Sequence, residues 1–130
     1  MSNLKEIGIS LLGSATVDLQ AGDGKSTAYT VPIGKKAVIT HVVIRNPTAS
    51  LAGGSDFDIG SGAACDTWRQ TQTLVSMTAT TDYMVIPAVA ATPTKYTCEV
   101  AAATFGILPI TGATLNAQAT MDVFGYEMDA

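Results

Sequence analysis

A chain of 130 residues is the size of one domain, long enough to bury a core without disulfide or metal staples. Charged residues make up only 14%, against about 25% in an average domain, and the net charge is −4. The seven basic residues are scattered, which speaks against a nucleic-acid-binding face, and no apolar run approaches the ~18 residues of a membrane helix.

Mean hydropathy is nevertheless positive for this weakly charged chain. Contiguous exposed apolar surface is rare on soluble monomers, so the excess points to a subunit interface. From the N-terminus, Lys5-Glu6 is followed by an apolar stretch that Gly8, Ser10, Gly13 and Ser14 interrupt. A secretory signal wants an unbroken apolar segment, so strands over 6–12 and 15–19 are the better expectation.

Next comes AGDGKST, residues 21–27, which resembles the end of a phosphate-binding loop. That motif needs a glycine five residues before Gly24, where Leu19 stands, and a helix after it. Instead, Thr27-Ala28-Tyr29-Thr30-Val31-Pro32 follows, a strand pattern. Gly22-Asp23-Gly24 is expected to be a hairpin turn.

Pro32-Ile33-Gly34 is turn chemistry, since proline presets φ and glycine accepts a positive one. A long strand over 36–46 should follow. Strict alternation puts Val38, Thr40, Val42 and Ile44 on one face and Ala37, Ile39, His41 and Val43 on the other. Both faces are largely apolar. One fills a core, and the other needs a cover from a neighbouring subunit or a long loop. The candidate interface is Ala37, Ile39, His41 and Val43.

Further strands are expected over 54–60, 71–77, 82–87, 95–100, 104–110 and 117–127. In the last, Ala117, Ala119, Met121 and Val123 share one face, and Gln118, Thr120, Asp122, Phe124 and Tyr126 the other. No segment carries the 3.6-residue apolar period of a helix, and Gly, Pro, Asn and Asp punctuate the chain at short intervals. The expectation is all-β: a single domain over 1–130, an antiparallel β-sandwich of jelly-roll type with eight to ten short strands.

Candidate chemistry is thin. His41 is the sole histidine, with no G-x-S-x-G pattern beside it and too few companions for a zinc site. It is expected to be a packed or interface residue, with some pH sensitivity if copies meet around an axis. Asp56 and Asp58 point the same way on a strand, with Phe57 and Ile59 toward the core, and Asp66 follows. The EF-hand pattern is absent, and turn-forming or solvated carboxylates are the simpler expectation. Trp68, the sole tryptophan, is either a core plug or, with Asp56 and Asp58, a shallow sugar-contact site. Cys65 and Cys98 lack zinc or redox spacing and are expected to be free thiols, with a disulfide as the alternative if neighbouring strands bring them together. No catalytic residues, cofactor or metal site are assigned, and no nucleic acid, membrane or small-molecule substrate is expected.

Four stretches taken together, YTVPIGKKAVITHVVIRNPTAS, DFDIGSGAACDTW, DYMVIP and ATFGILPITGATLNAQATMDVFGYEM, resemble a group of small bacteriophage and prophage structural proteins. The shared order is a Val-Pro-x-Gly-Lys turn, a long strand, an FDIG strand and a final strand ending in Gly-Tyr, over roughly residues 25–128. The resemblance implies a jelly-roll virion component, often trimeric, serving as a head decoration that meets the major capsid protein, or as a fibre or receptor-binding head. It would be made in the bacterial host cytoplasm. A lectin-like carbohydrate-binding module is the alternative from another class.

Overall fold

The computed structural model describes residues 8–88 and 98–130. Among them are nine strands and no helix. They are β1 (Ser10–Asp18), β2 (Ser26–Thr30), β3 (Lys35–Arg45), β4 (Asp56–Gly60), β5 (Arg69–Gln72), β6 (Tyr83–Pro87), β7 (Glu99–Val100), β8 (Thr104–Thr111) and β9 (Gln118–Asp129). The larger sheet runs β1-β9-β3-β6, with the two-residue β7 beside β3, and the smaller runs β2-β8-β4-β5. Every ladder is antiparallel.

The two sheets enclose one core in a sandwich-like arrangement. Val17, Ile39, Val42, Ile44, Ile86, Met121 and Val123 come from the larger sheet. Tyr29, Phe57, Ile59, Phe105 and Ile107 come from the smaller, and the loop residues Leu51, Trp68, Leu74 and Met77 close the rest. Phe57 and Ile59 point inward as their alternation requires.

Two β-bulges set which residues face that core. In β3 the register against β9 shifts between Ile39 and His41, so Thr40 is an extra residue. In β2 the register against β8 shifts between Thr27 and Tyr29, so Ala28 is the extra one. Opposite each bulge stands a Phe-Gly pair, Phe124-Gly125 and Phe105-Gly106. A Cβ on Gly125 would run into the Val38 carbonyl oxygen, and one on Gly106 into that of Ser26. Glycine is required there because the bulged backbone crowds its partner.

The β3 bulge corrects the alternation expected for 36–46. Ala37 and Ile39 are buried as one set, but after Thr40 the buried positions become Val42 and Ile44. His41 and Val43 stay outside. Strict alternation fails because one inserted residue inverts every side chain beyond it.

Other boundaries differ for equally local reasons. The strands expected over 6–12 and 15–19 are one strand from Ser10, with residues 6 and 7 outside the described residues. Gly13 does not break it. It lets β1 pass close over Ala28 and Tyr29. The strand expected over 71–77 is β5, which ends at Gln72. Beyond it Leu74 and Met77 plug the core, and their backbone bonds the 51–54 loop and each other: Leu74 N–H donates to the Gly54 carbonyl, Met77 N–H to Leu74, and Leu51 N–H to Met77. Of the strand expected over 95–100, residues 95–97 lie outside the described residues and Glu99–Val100 is the paired remnant.

Candidate functional site

The side chains that β1, β9, β3 and β6 turn away from the core form one continuous outer face. β9 alternates cleanly, with Ala119, Met121 and Val123 buried and Thr120, Phe124 and Tyr126 turned outward. Register builds rows across the strands. Phe124 lies between Leu11 and His41, with Pro87 beyond. Asp122 lies between Ser14 and Val43, with Val85 beyond. Thr120 lies between Thr16 and Arg45, with Tyr83 beyond, and Tyr126 stands opposite Val38.

Most of this face is apolar or aromatic. Leu11 is 54% exposed, Val85 53% and Tyr83 70%, while Val38, Val43, Phe124 and Tyr126 are half-buried. The His41 ring stacks parallel on Phe124, with centroids 4.6 Å apart and planes within 3°.

One polar cluster interrupts the patch. Asp122, only 8% exposed, accepts a 2.6 Å bond from the Ser14 hydroxyl and a 2.8 Å bond from Arg45 Nε. Burial opposes its ionisation, but the bonds from Arg45 and Ser14 and the guanidinium charge outweigh that, so its carboxyl sits below the usual range. At the far end of β9, Asp129 holds Lys35 at 2.7 Å and Glu127 accepts a 2.6 Å bond from the Tyr29 hydroxyl.

The four residues expected to form an interface are split by the β3 bulge. Ala37, fully buried, and Ile39, 7% exposed, belong to the core, while His41 and Val43 lie on the outer face. The stretches carrying Leu11, Phe124, Tyr126, Tyr83 and Val85 had been read as strands, but only register shows them to be neighbours of His41 and Val43.

The residues expected for a sugar-contact site do not converge. Trp68 is 6% exposed, meets Phe105 edge to face at 5.6 Å, and donates its indole N–H to the Ile39 carbonyl at 3.4 Å. Its ring is a core plug. Asp56 and Asp58 lie on the opposite, outward side of β4. Asp58 accepts the Thr71 N–H at 3.2 Å, and one Asp56 carboxylate oxygen is buried with no hydrogen-bond partner. Among the described residues, no three of His, Cys, Asp and Glu gather in a way that could hold a metal ion.

The remaining polar residues serve turns. In AGDGKST, the Asp23 carboxylate accepts the Gln20 N–H at 2.9 Å and Gly22 takes a φ of 88°, a glycine-shaped turn. Lys25 Nζ donates to the Gly62 and Thr104 carbonyls at 2.8 and 2.6 Å and so ties the loop before β5 to β8. Cys65 and Cys98 are free thiols. Burial pushes the Cys65 thiol up, against the pull of Lys25, so it rests protonated. No family model matches the chain, and neither a curated protein nor a solved structure matches it.

Proposed function

We propose that this chain is a non-enzymatic structural protein that assembles with copies of itself through the outer face of its larger sheet. One observation carries this: a four-stranded sheet buries one side in its own core and presents a second apolar side, running from Leu11 across Phe124 and His41 to Val85 and Tyr83. Strands ~4.8 Å apart and ~3.3 Å per residue give the face a plan of ~600 Å². Three such faces turned toward one three-fold axis, each shared between its two neighbours, bury up to ~1,800 Å² in all, comparable to a standard interface.

The architecture we propose is a jelly roll. With the two-residue β7 set aside, β1 pairs with β9, β2 with β8, β3 with β6 and β4 with β5, a nested set of antiparallel pairs. The β9–β3 and β8–β4 ladders then join those pairs into two four-stranded sheets. Virion proteins and lectins both use this plan. The lectin alternative loses its stacking residue, because Trp68 is buried. With the strand and turn order that resembles phage structural proteins, the setting we propose is a bacteriophage virion. There the chain is a homotrimeric head-decoration protein seated on the major capsid protein, made in the host cytoplasm.

The test is mass in solution by light scattering, for the wild-type chain and for Val43→Glu. Three copies of the 13.4 kDa chain weigh ~40 kDa in a closed ring. The wild type should show that mass, and Val43→Glu should be a folded monomer, because a half-exposed outer position tolerates charge until a partner covers it. A wild-type monomer at high concentration overturns the assembly, and a ~27 kDa dimer overturns the trimer alone.

A further inference from the structure

We propose that His41 makes this self-association pH-sensitive: copies join through the outer face while its imidazole is neutral and part as it takes up a proton. This rests on the self-assembly proposed above, and the occupant of the face is a second copy of the chain. Three faces of ~600 Å² each, turned toward a common axis, bury up to ~1,800 Å² in all, comparable to a standard interface.

Thr40 Oγ1 lies 3.2 Å from the Phe124 carbonyl and 3.0 Å from His41 Nδ1. With the single hydroxyl proton on the Phe124 carbonyl, which can only accept, the imidazole donates Nδ1–H to Thr40 and Nε2 is left to take up a further proton. No described residue bonds it.

Among the described residues, none offers a proton on Nε2 compensation. Across the ladders His41 meets Phe124 of β9 and Pro87 of β6. Along β3 the charges on its face are Lys36 and Arg45, both positive. From β5, Arg69 reaches the Pro87 carbonyl at 3.0 Å, a further cation. On the neighbouring row of the face, Asp122 of β9 is committed to Arg45 and Ser14. Further off, Asp18 of β1 is bonded by Gln118, while Asp129 and Glu127 are held by Lys35 and Tyr29. Glu99 of β7 lies opposite Ala37 and is buried. Tyr83 and Tyr126 are neutral phenols in this range.

In the free chain an imidazolium here is stabilised by water. A second copy takes that water away and sets apolar groups, and its own His41, against the charge. The attraction between an imidazolium and the Phe124 ring is present before and after association, so it does not offset this loss. Histidine is the side chain whose charge ordinarily changes between about pH 5 and pH 8, so the comparison is made across that range. Each unit by which assembly lowers the histidine's proton affinity makes association tenfold weaker per copy at low pH.

The experiment is light scattering at about pH 8 and about pH 5.5 on the wild type, His41→Gln and His41→Phe. Folding is checked by circular dichroism, and either folded variant serves. The proposal expects the wild type assembled at the higher pH and monomeric at the lower, with the variant assembled at both. A wild type that stays assembled at the lower pH overturns the switch and leaves self-assembly standing. So does a variant that dissociates on acidification as the wild type does. A wild type that is monomeric at both overturns the switch and self-assembly together. His41 is the sole histidine, so one imidazole signal in a proton NMR titration reports it. That signal should titrate lower in the assembled wild type than in monomeric Val43→Glu, and equal midpoints also overturn the proposal.

Discussion

Three side-chain bonds tie the pairing of strands and the packing of the two sheets to pH. Asp122 in the folded chain holds its proton more weakly than in the unfolded chain, where it titrates near ~3.9. Its contribution to stability is therefore whole above that value and is lost as the pH falls through the lower folded one. Asp122→Asn should cost about 1–2 kcal/mol at neutral pH, as expected for a charge-assisted bond at a nearly buried acceptor. The two proteins should converge below about pH 3.9, read by urea denaturation. Tyr29 runs the other way. Burial first, then the bond to Glu127 and its charge, push the phenol above its ordinary value. That stability is whole below about pH 10 and is lost as the pH rises through the folded value. Tyr29→Phe should be about 1 kcal/mol less stable at neutral pH and regain that deficit above about pH 10.

At the scale of the strand, the bulges at Thr40 and Ala28 each work as a unit with the glycine opposite. Thr40 and Ala28 are the inserted residues, and Gly125 and Gly106 make room for the backbone they displace. Gly125→Ala and Gly106→Ala should each cost about 3 kcal/mol, because a Cβ would meet a carbonyl oxygen fixed in the ladder. Gly24→Ala, which faces open space, should stay within about 0.5 kcal/mol of wild type by thermal denaturation. The Phe-Gly pair was visible twice in the chain, but nothing local marks which residue across from it will be the extra one. Thr40 looks like any other strand residue. The shift becomes visible only when β3 is aligned with β9.

For the molecule as a whole, the two sides of the larger sheet should respond oppositely to substitution. Ile44 is fully buried, and Ile44→Ala should lose about 2–4 kcal/mol with no separate effect on association once the folded fraction is matched. Val85→Glu, at the far edge of the outer face, should leave stability within about 0.5 kcal/mol and lower the mass in solution. Trp68 reports on the core: its emission should be blue-shifted in the folded protein, red-shift on urea denaturation, and stay unchanged across a glycan panel. A quench or shift by a sugar would reinstate a carbohydrate site.

Strand composition, glycine and proline turns and the missing helical period determined the all-β class and most strand positions, because those signals act between residues close in the chain. The largely apolar residues on both faces of the 36–46 stretch also pointed to a second apolar face. Only the tertiary structure decided which residues make that face. An alternation rule assigns Ala37 and Ile39 to the same side as His41 and Val43. One inserted residue, held by a glycine 85 positions further along the chain, sends the first pair into the core and leaves the second outside. Tertiary packing likewise turned Trp68 inward onto Phe105, and strand register gathered Leu11, Phe124, Val85 and Tyr83 beside His41. Strand register depends on pairing between distant segments, and a side-chain period of two makes every facing depend on that register.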